Sequence, residues 1–155
     1  MVSATRLNES LISGVAGAVA LTAVHQAALR LTDAAPRMDV LGVRALARGT
    51  GRTGIADDSG DVDPTADRTL YTAALAGDLV ANSVYYACAT TWSRGAALGL
   101  LAGLCCLTVP QRVGLGEPPN SHRLANQVMT VAWYTIGGLV AAWTAQCLAR
   151  RREQH

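Results

Sequence analysis

The chain contains no phenylalanine and no lysine, and only 15% of its 155 residues are charged, against roughly 25% in an ordinary soluble domain. That deficit argues against a typical soluble surface and points to lipid. The remaining charges gather in the first ten residues, in 30–68, at 112–123 and after 150, which leaves the stretches between almost free of charge. Mean hydropathy is a modest +0.23 because these polar connections dilute strongly apolar segments. All 13 basic residues are arginine; with the abundance of alanine and glycine this matches the coding bias of a GC-rich bacterial genome and carries no functional information. A net charge of +2, with no basic cluster interleaved with aromatics, speaks against nucleic acid as a partner. No glycine-rich phosphate loop, H-E-x-x-H helix, nucleophile elbow or C-x-x-C pair occurs. No motif-bearing enzyme class, metal or cofactor is therefore implied.

What is present is a series of apolar segments. The expected fold is all-α, a single membrane domain of four transmembrane helices over about 11–31, 69–92, 95–110 and 124–148, with a polar loop at 32–68. At ~1.5 Å per residue, about 20 residues cross a hydrocarbon core of roughly 30 Å. The second and fourth segments are the firmest. The third is marginal, because Pro110 is expected to stop it, and the first has a rival reading as a signal peptide with Ala18-Val19-Ala20 as a small-x-small cleavage site. Asp63-Pro64 reads as the opening of the second helix, Arg94 as a tight turn, and Asn120 or Ser121 as the cap of the fourth. A soluble helical bundle competes with this fold, but the apolar runs leave no polar stripe broad enough to cover its outside. The localisation expected is the bacterial inner (plasma) membrane, multi-pass. Arginine counts leave the orientation open, with five on the side of the termini and eight on the other.

Within the polar loop, Asp33 and Pro36 read as a helix start, after which Arg37, Arg44 and Arg48 share a face. Two readings stand for this short helix: one lying along the lipid headgroups, or a solvated surface helix. Gly49 to Gly54 reads as a linker, and the aspartates from Asp57 to Asp67 as a hydrated loop, because they lack the glycine and glutamate of a calcium-binding EF-hand.

Chemistry is sought first on the second segment. Asp78 lies near its middle, with Asn82 at i+4, Tyr71 at i−7 and Tyr85 at i+7, so the four share a face. A carboxylate there costs about 2.5–3.5 kcal/mol on insertion scales, so it must face a polar interior, find a partner or be protonated. The partners expected are His25 on the first segment and the stripe of Gln127, Thr130 and Tyr134 on the fourth. Such a cluster serves either as a working site that relays a proton, binds a cation or activates a nucleophile, or as a polar clasp that fixes helix pairing.

Gly95, Gly99 and Gly103 repeat every four residues on the third segment and clear one face for close helix packing. The contact preferred for it is within the chain, through the hairpin with the second segment. Cys105-Cys106 is similar, in those two residues alone, to the vicinal cysteines of small bacterial mercury transporters. Adjacent helix positions point about 100° apart, so the reading taken is apolar filler. The other two cysteines, Cys88 and Cys147, also fall in or beside apolar segments, which argues against a disulfide framework. Glu117 and His122 in the last loop read as solvated. Two functions follow. The first is a non-catalytic accessory or subunit-type bundle that packs with itself, as a homo-oligomer, or with a larger membrane complex in the lipid bilayer. The second is a small intramembrane transporter or enzyme built on Asp78, Asn82 and His25.

Overall fold

A computed structural model describes residues 4–51 and 68–154. Five helices follow one another, and no strand occurs among the described residues: α1 (Ala4–Leu31), α2 (Asp39–Gly49), α3 (Arg68–Tyr86), α4 (Trp92–Arg112) and α5 (Leu124–Glu153). Three of these, α1, α4 and α5, are long and apolar enough to cross a membrane. The expected ranking of the segments is thereby altered. α3, carrying Arg68, Asp78 and Asn82 and ending at Tyr86, is not among the three, whereas the segment expected to be short is a 21-residue helix.

The differences at the boundaries have local causes. Pro110 does not stop α4; it lies in the last turn, and beyond it Val113 N–H still reaches the Val109 carbonyl at 3.1 Å. Proline there removes one backbone donor but leaves the helix little more than half a turn to build. The turn after α3 falls at 87–91 rather than at Arg94, because the Thr91 side chain caps α4 by accepting the Arg94 N–H at 3.3 Å. Arg123, not Asn120 or Ser121, precedes α5 as its N-cap, and no side-chain cap bond is made. Asn120 instead adopts a left-handed turn (φ 64°) and ties this loop to the α1–α2 connection, donating to the carbonyls of Asp33 and Ala35. α1 begins before residue 11, and Ala18 of the candidate cleavage site is wholly buried within it. The Asp63-Pro64 helix start, most of the glycine linker and the aspartate run lie outside the described residues.

The long helices pack in the order α3–α1–α5–α4, each antiparallel to the next, in a row bent enough that Tyr85 of α3 reaches the Leu98 carbonyl of α4. Gly14 of α1 meets the backbone of Ser83 on α3 and of Ala87 just beyond it, Gly17 meets Gly137 and Ala141 on α5, and Gly95, Gly99 and Gly103 of α4 meet Gly138, Thr135 and Val131 of α5. The glycine face of α4 therefore rests on α5, not on α3 as the hairpin suggested. Both described ends of the chain lie together, where Arg152 pairs with Glu9 at 2.9 Å. Small residues fill the seams, and the larger apolar side chains turn outward: Leu11, Ile12 and Val19 on α1, Leu100 and Leu104 on α4, Val128 and Trp143 on α5 are all exposed. This arrangement is the reverse of a soluble bundle, and it suits a solvent of lipid, in which close backbone packing holds helices together.

At the far end, α2 covers the row. Its Val40, Val43 and Ala47 bury against Leu70 and Ala74 of α3. Its arginines turn to the α4–α5 loop. Arg44 donates to the Leu115 and Glu117 carbonyls at 3.1 and 2.8 Å, Arg48 donates to the Val113 carbonyl at 2.9 Å, and Arg37, just before the helix, forms a two-pronged pair with Asp39. The loop can present those carbonyls because Gly114 and Gly116 take positive φ (77° and 73°), with the guanidinium groups close against them. α2 and the α4–α5 loop thus form one clamped layer over that end.

Candidate functional site

Beneath this layer is a cavity of about 40 Å³ whose wall is drawn from four helices. α1 contributes Leu21, Thr22 and His25; α2 contributes Asp39 and Gly42, with Met38 at its N-cap; α3 contributes Tyr71, Ala74, Leu75 and Asp78; α5 contributes Trp133 and Tyr134. By the usual measure of ~10–15 Å³ per water, there is space for about three. Helical spacing explains the α3 set, since Tyr71, Ala74, Leu75 and Asp78 stand at i, i+3, i+4 and i+7 on the face turned to α1.

The polar groups on this wall differ in how they are committed. His25 Nε2 lies 3.3 Å from the Pro36 carbonyl, and its ring packs on Trp133 with centroids 5.1 Å apart. A carbonyl only accepts, so this bond places a hydrogen on Nε2, and the neutral ring then has its lone pair on Nδ1. The Tyr71 hydroxyl accepts from Gln26 Nε2 at 3.1 Å, which leaves its own hydrogen to give. Asp39 is paired with Arg37 at 2.9 Å. Asp78 stands at the rim, lining the cavity yet open on its outer side, and the polar side chain nearest to it along α3 is Asn82, one turn on. Among the described residues no basic side chain pairs with it. Tyr134 reaches Cys106 of α4, with O···S 3.2 Å.

Of the residues singled out in the sequence, Asp78, His25, Tyr71 and Tyr134 therefore share one cavity, and Asn82 is buried just beside it, its amide also donating to the Asp78 carbonyl at 2.9 Å. Asp78 and His25 are not bonded to each other. Tyr85 turns to α4 and donates to the Leu98 carbonyl at 2.9 Å. Gln127 lies in an outer apolar groove between α4 and α5, among Leu104, Leu124 and Val128. Thr130 is fully buried, and its hydroxyl is given to the Asn126 carbonyl of its own helix. Cys105 is exposed and Cys106 is partly buried, and Glu117 and His122 pair with each other at 2.7 Å on the surface.

The sequence reading missed four contributors. Trp133 forms part of the wall, and Asp39 arrives with α2. Tyr86, wholly buried, wedges over Gly17 and Gly137 and donates to the Tyr134 carbonyl at 2.7 Å, which ties α3 to α5. Gly137-Gly138 forms the floor against which α1 and α4 pack; this adjacent pair, with Gly14-x-x-Gly17, was the signal available. Comparison with known proteins finds no matching family model, curated protein or solved structure.

Proposed function

We propose that the chain is a multi-pass protein of the bacterial inner membrane that crosses it four times and uses the Asp78 cavity to take up and pass on a proton or a small monovalent cation. α3 serves as the fourth crossing: its 19 residues span about 28 Å at ~1.5 Å each, and α1 and α2 shield much of its polar side. One observation carries the functional reading. Asp78 shares a water-sized cavity with His25, Tyr71 and Tyr134, yet among the described residues no bond joins its side chain to another helix. A clasp that fixes helix pairing needs a bond to another helix. Keeping a carboxylate in a bundle without one is costly, and it is expected where the group works on something that enters.

The test uses purified protein in liposomes loaded with a pH-sensitive dye. Wild type is expected to dissipate an imposed proton or cation gradient, and Asp78→Asn is expected to abolish this while keeping its helicity and elution volume. Full flux in Asp78→Asn would overturn the proposal, and a variant that merely loses its fold would favour the clasp. A second reading, an accessory subunit that packs with its own copies or a larger complex, draws on the outer face of α3, where Val80 and Val84 are exposed and nothing lies within 4 Å of a side chain added at Gly77. A partner that stays with the protein in a fixed ratio through purification would favour it.

A further inference from the structure

We propose that the ligand of the Asp78 cavity is a small cation that donates hydrogen bonds, of the ammonium or methylammonium class; this rests on the reading of Asp78 as a working site. Charge sets the first limit. Two carboxylates line the wall, but Asp39 is neutralised by its two-pronged pair with Arg37, so the cavity has one negative charge to match, that of Asp78. One monovalent cation balances it, while a divalent ion would be left overcharged in a poorly solvated place.

The donor set gives the second limit. An alkali ion is held by several oxygens at once. Here the wall residues carry the Asp78 carboxylate and the Thr22, Tyr71 and Tyr134 hydroxyls, the Asp39 carboxylate being taken up by Arg37, and they add an acceptor of another kind, the His25 nitrogen left with a lone pair when Nε2–H bonds the Pro36 carbonyl. An imidazole nitrogen is a poor ligand for sodium or potassium and a good acceptor for N–H. The rest of the polar wall is aromatic, from Trp133, Tyr71 and Tyr134, and π-faces attract ammonium groups. A cation that gives hydrogen bonds to a carboxylate and an imidazole and lays its remaining surface on rings fits this set.

Size gives the third. Space for about three waters admits ammonium or methylammonium and rejects a quaternary ammonium such as tetramethylammonium. The last also lacks N–H, so it separates donation from charge alone.

Trp133 packs at a tilt against His25 in the wall and supplies the readout. With Trp92 and Trp143 replaced by phenylalanine, the detergent-solubilised protein is titrated with ammonium, methylammonium, sodium or tetramethylammonium chloride, ionic strength being held with choline chloride. A saturable change in Trp133 fluorescence is expected with the first two alone. Asp78→Asn should weaken it at least about tenfold, the value of one charge-assisted hydrogen bond. Thr22→Val, which leaves the carboxylate in place, should weaken it by a smaller factor and keeps the proposal testable if Asp78→Asn does not fold. Equal saturation by sodium or tetramethylammonium, or a response unchanged in both variants, overturns the inference. If no cation changes the fluorescence while liposomes still show Asp78-dependent proton flux, the ligand class is wrong and the working site stands. If both signals are absent, both fall.

Discussion

Gly99→Ala, set against Gly77→Ala, tests the packing on which the row of helices depends. A Cβ added at Gly99 would lie 2.5 Å from the Thr135 Cα and 2.7 Å from the Tyr134 carbonyl oxygen, whereas ordinary contact begins at 3.4 Å. Both obstacles are backbone, so no rotamer can yield and α4 must move away from α5 by about 1 Å. A gap of ~0.5–1 Å forfeits a quarter to a half of each dispersion contact, and each is worth ~0.1–0.2 kcal/mol. Over ~40 contacts along the seam that loss is about 2 kcal/mol, within the ~1–3 kcal/mol typical of overpacking. At Gly77 the added methyl meets nothing within 4 Å, and alanine's better helix propensity gives a neutral or slightly stabilising change. Thermal unfolding in detergent, followed by circular dichroism, should show Gly99→Ala lower by roughly 4–8 °C and Gly77→Ala unchanged or higher. Equal stability of Gly99→Ala and wild type would refute the backbone-on-backbone contact, and equal loss in both variants would show that alanine acts through something other than the seam.

Tyr86→Phe removes the buried bond to the Tyr134 carbonyl while keeping the ring on Gly17 and Gly137. It should cost about 0.6–1.7 kcal/mol, the range for such bonds in membranes, and a neutral result would place the tie in the ring alone. Arg48→Gln and Arg44→Gln loosen the clamp on the α4–α5 loop, so amide exchange at 113–117 should quicken while that of α5 near Gly137 does not; matching acceleration in both would mean that the clamp holds the whole row. Withdrawal of detergent should precipitate the protein, because its outward Leu and Val side chains have no other cover. A monodisperse chain in plain buffer would defeat the membrane reading.

The parts of this structure visible in the sequence are those written locally. Apolar runs marked the long helices, and a period of four exposed the Gly95, Gly99 and Gly103 face. Spacings of four and seven placed Asp78 beside Tyr71 and Asn82. What a helix face meets is a separate matter, because chain order and spatial order differ: α4 follows α3 but packs on α5. Arg44 and Arg48 could not be read because their acceptors are main-chain carbonyls some 65–73 positions away, which any residue could supply. Pro110 misled because the cost of a proline depends on how much helix lies beyond it, and that was decided by the clamped loop. Tyr85 and Tyr86 are adjacent, and only the packing of α3 on α1 decides which turns inward.

The position of α1 in the row bears on how the chain is assembled. It is made before α3, α4 and α5, yet its seam with α5 is closed by Gly137 and Ala141, which leave the ribosome 120 or more positions after Gly17. Until α5 arrives, a nascent chain holding α1 and α3 exposes a bare glycine groove in the bilayer. A chain cut short before Leu124 would leave that groove permanently open and α2 without its loop, a target for membrane proteases rather than a smaller working protein.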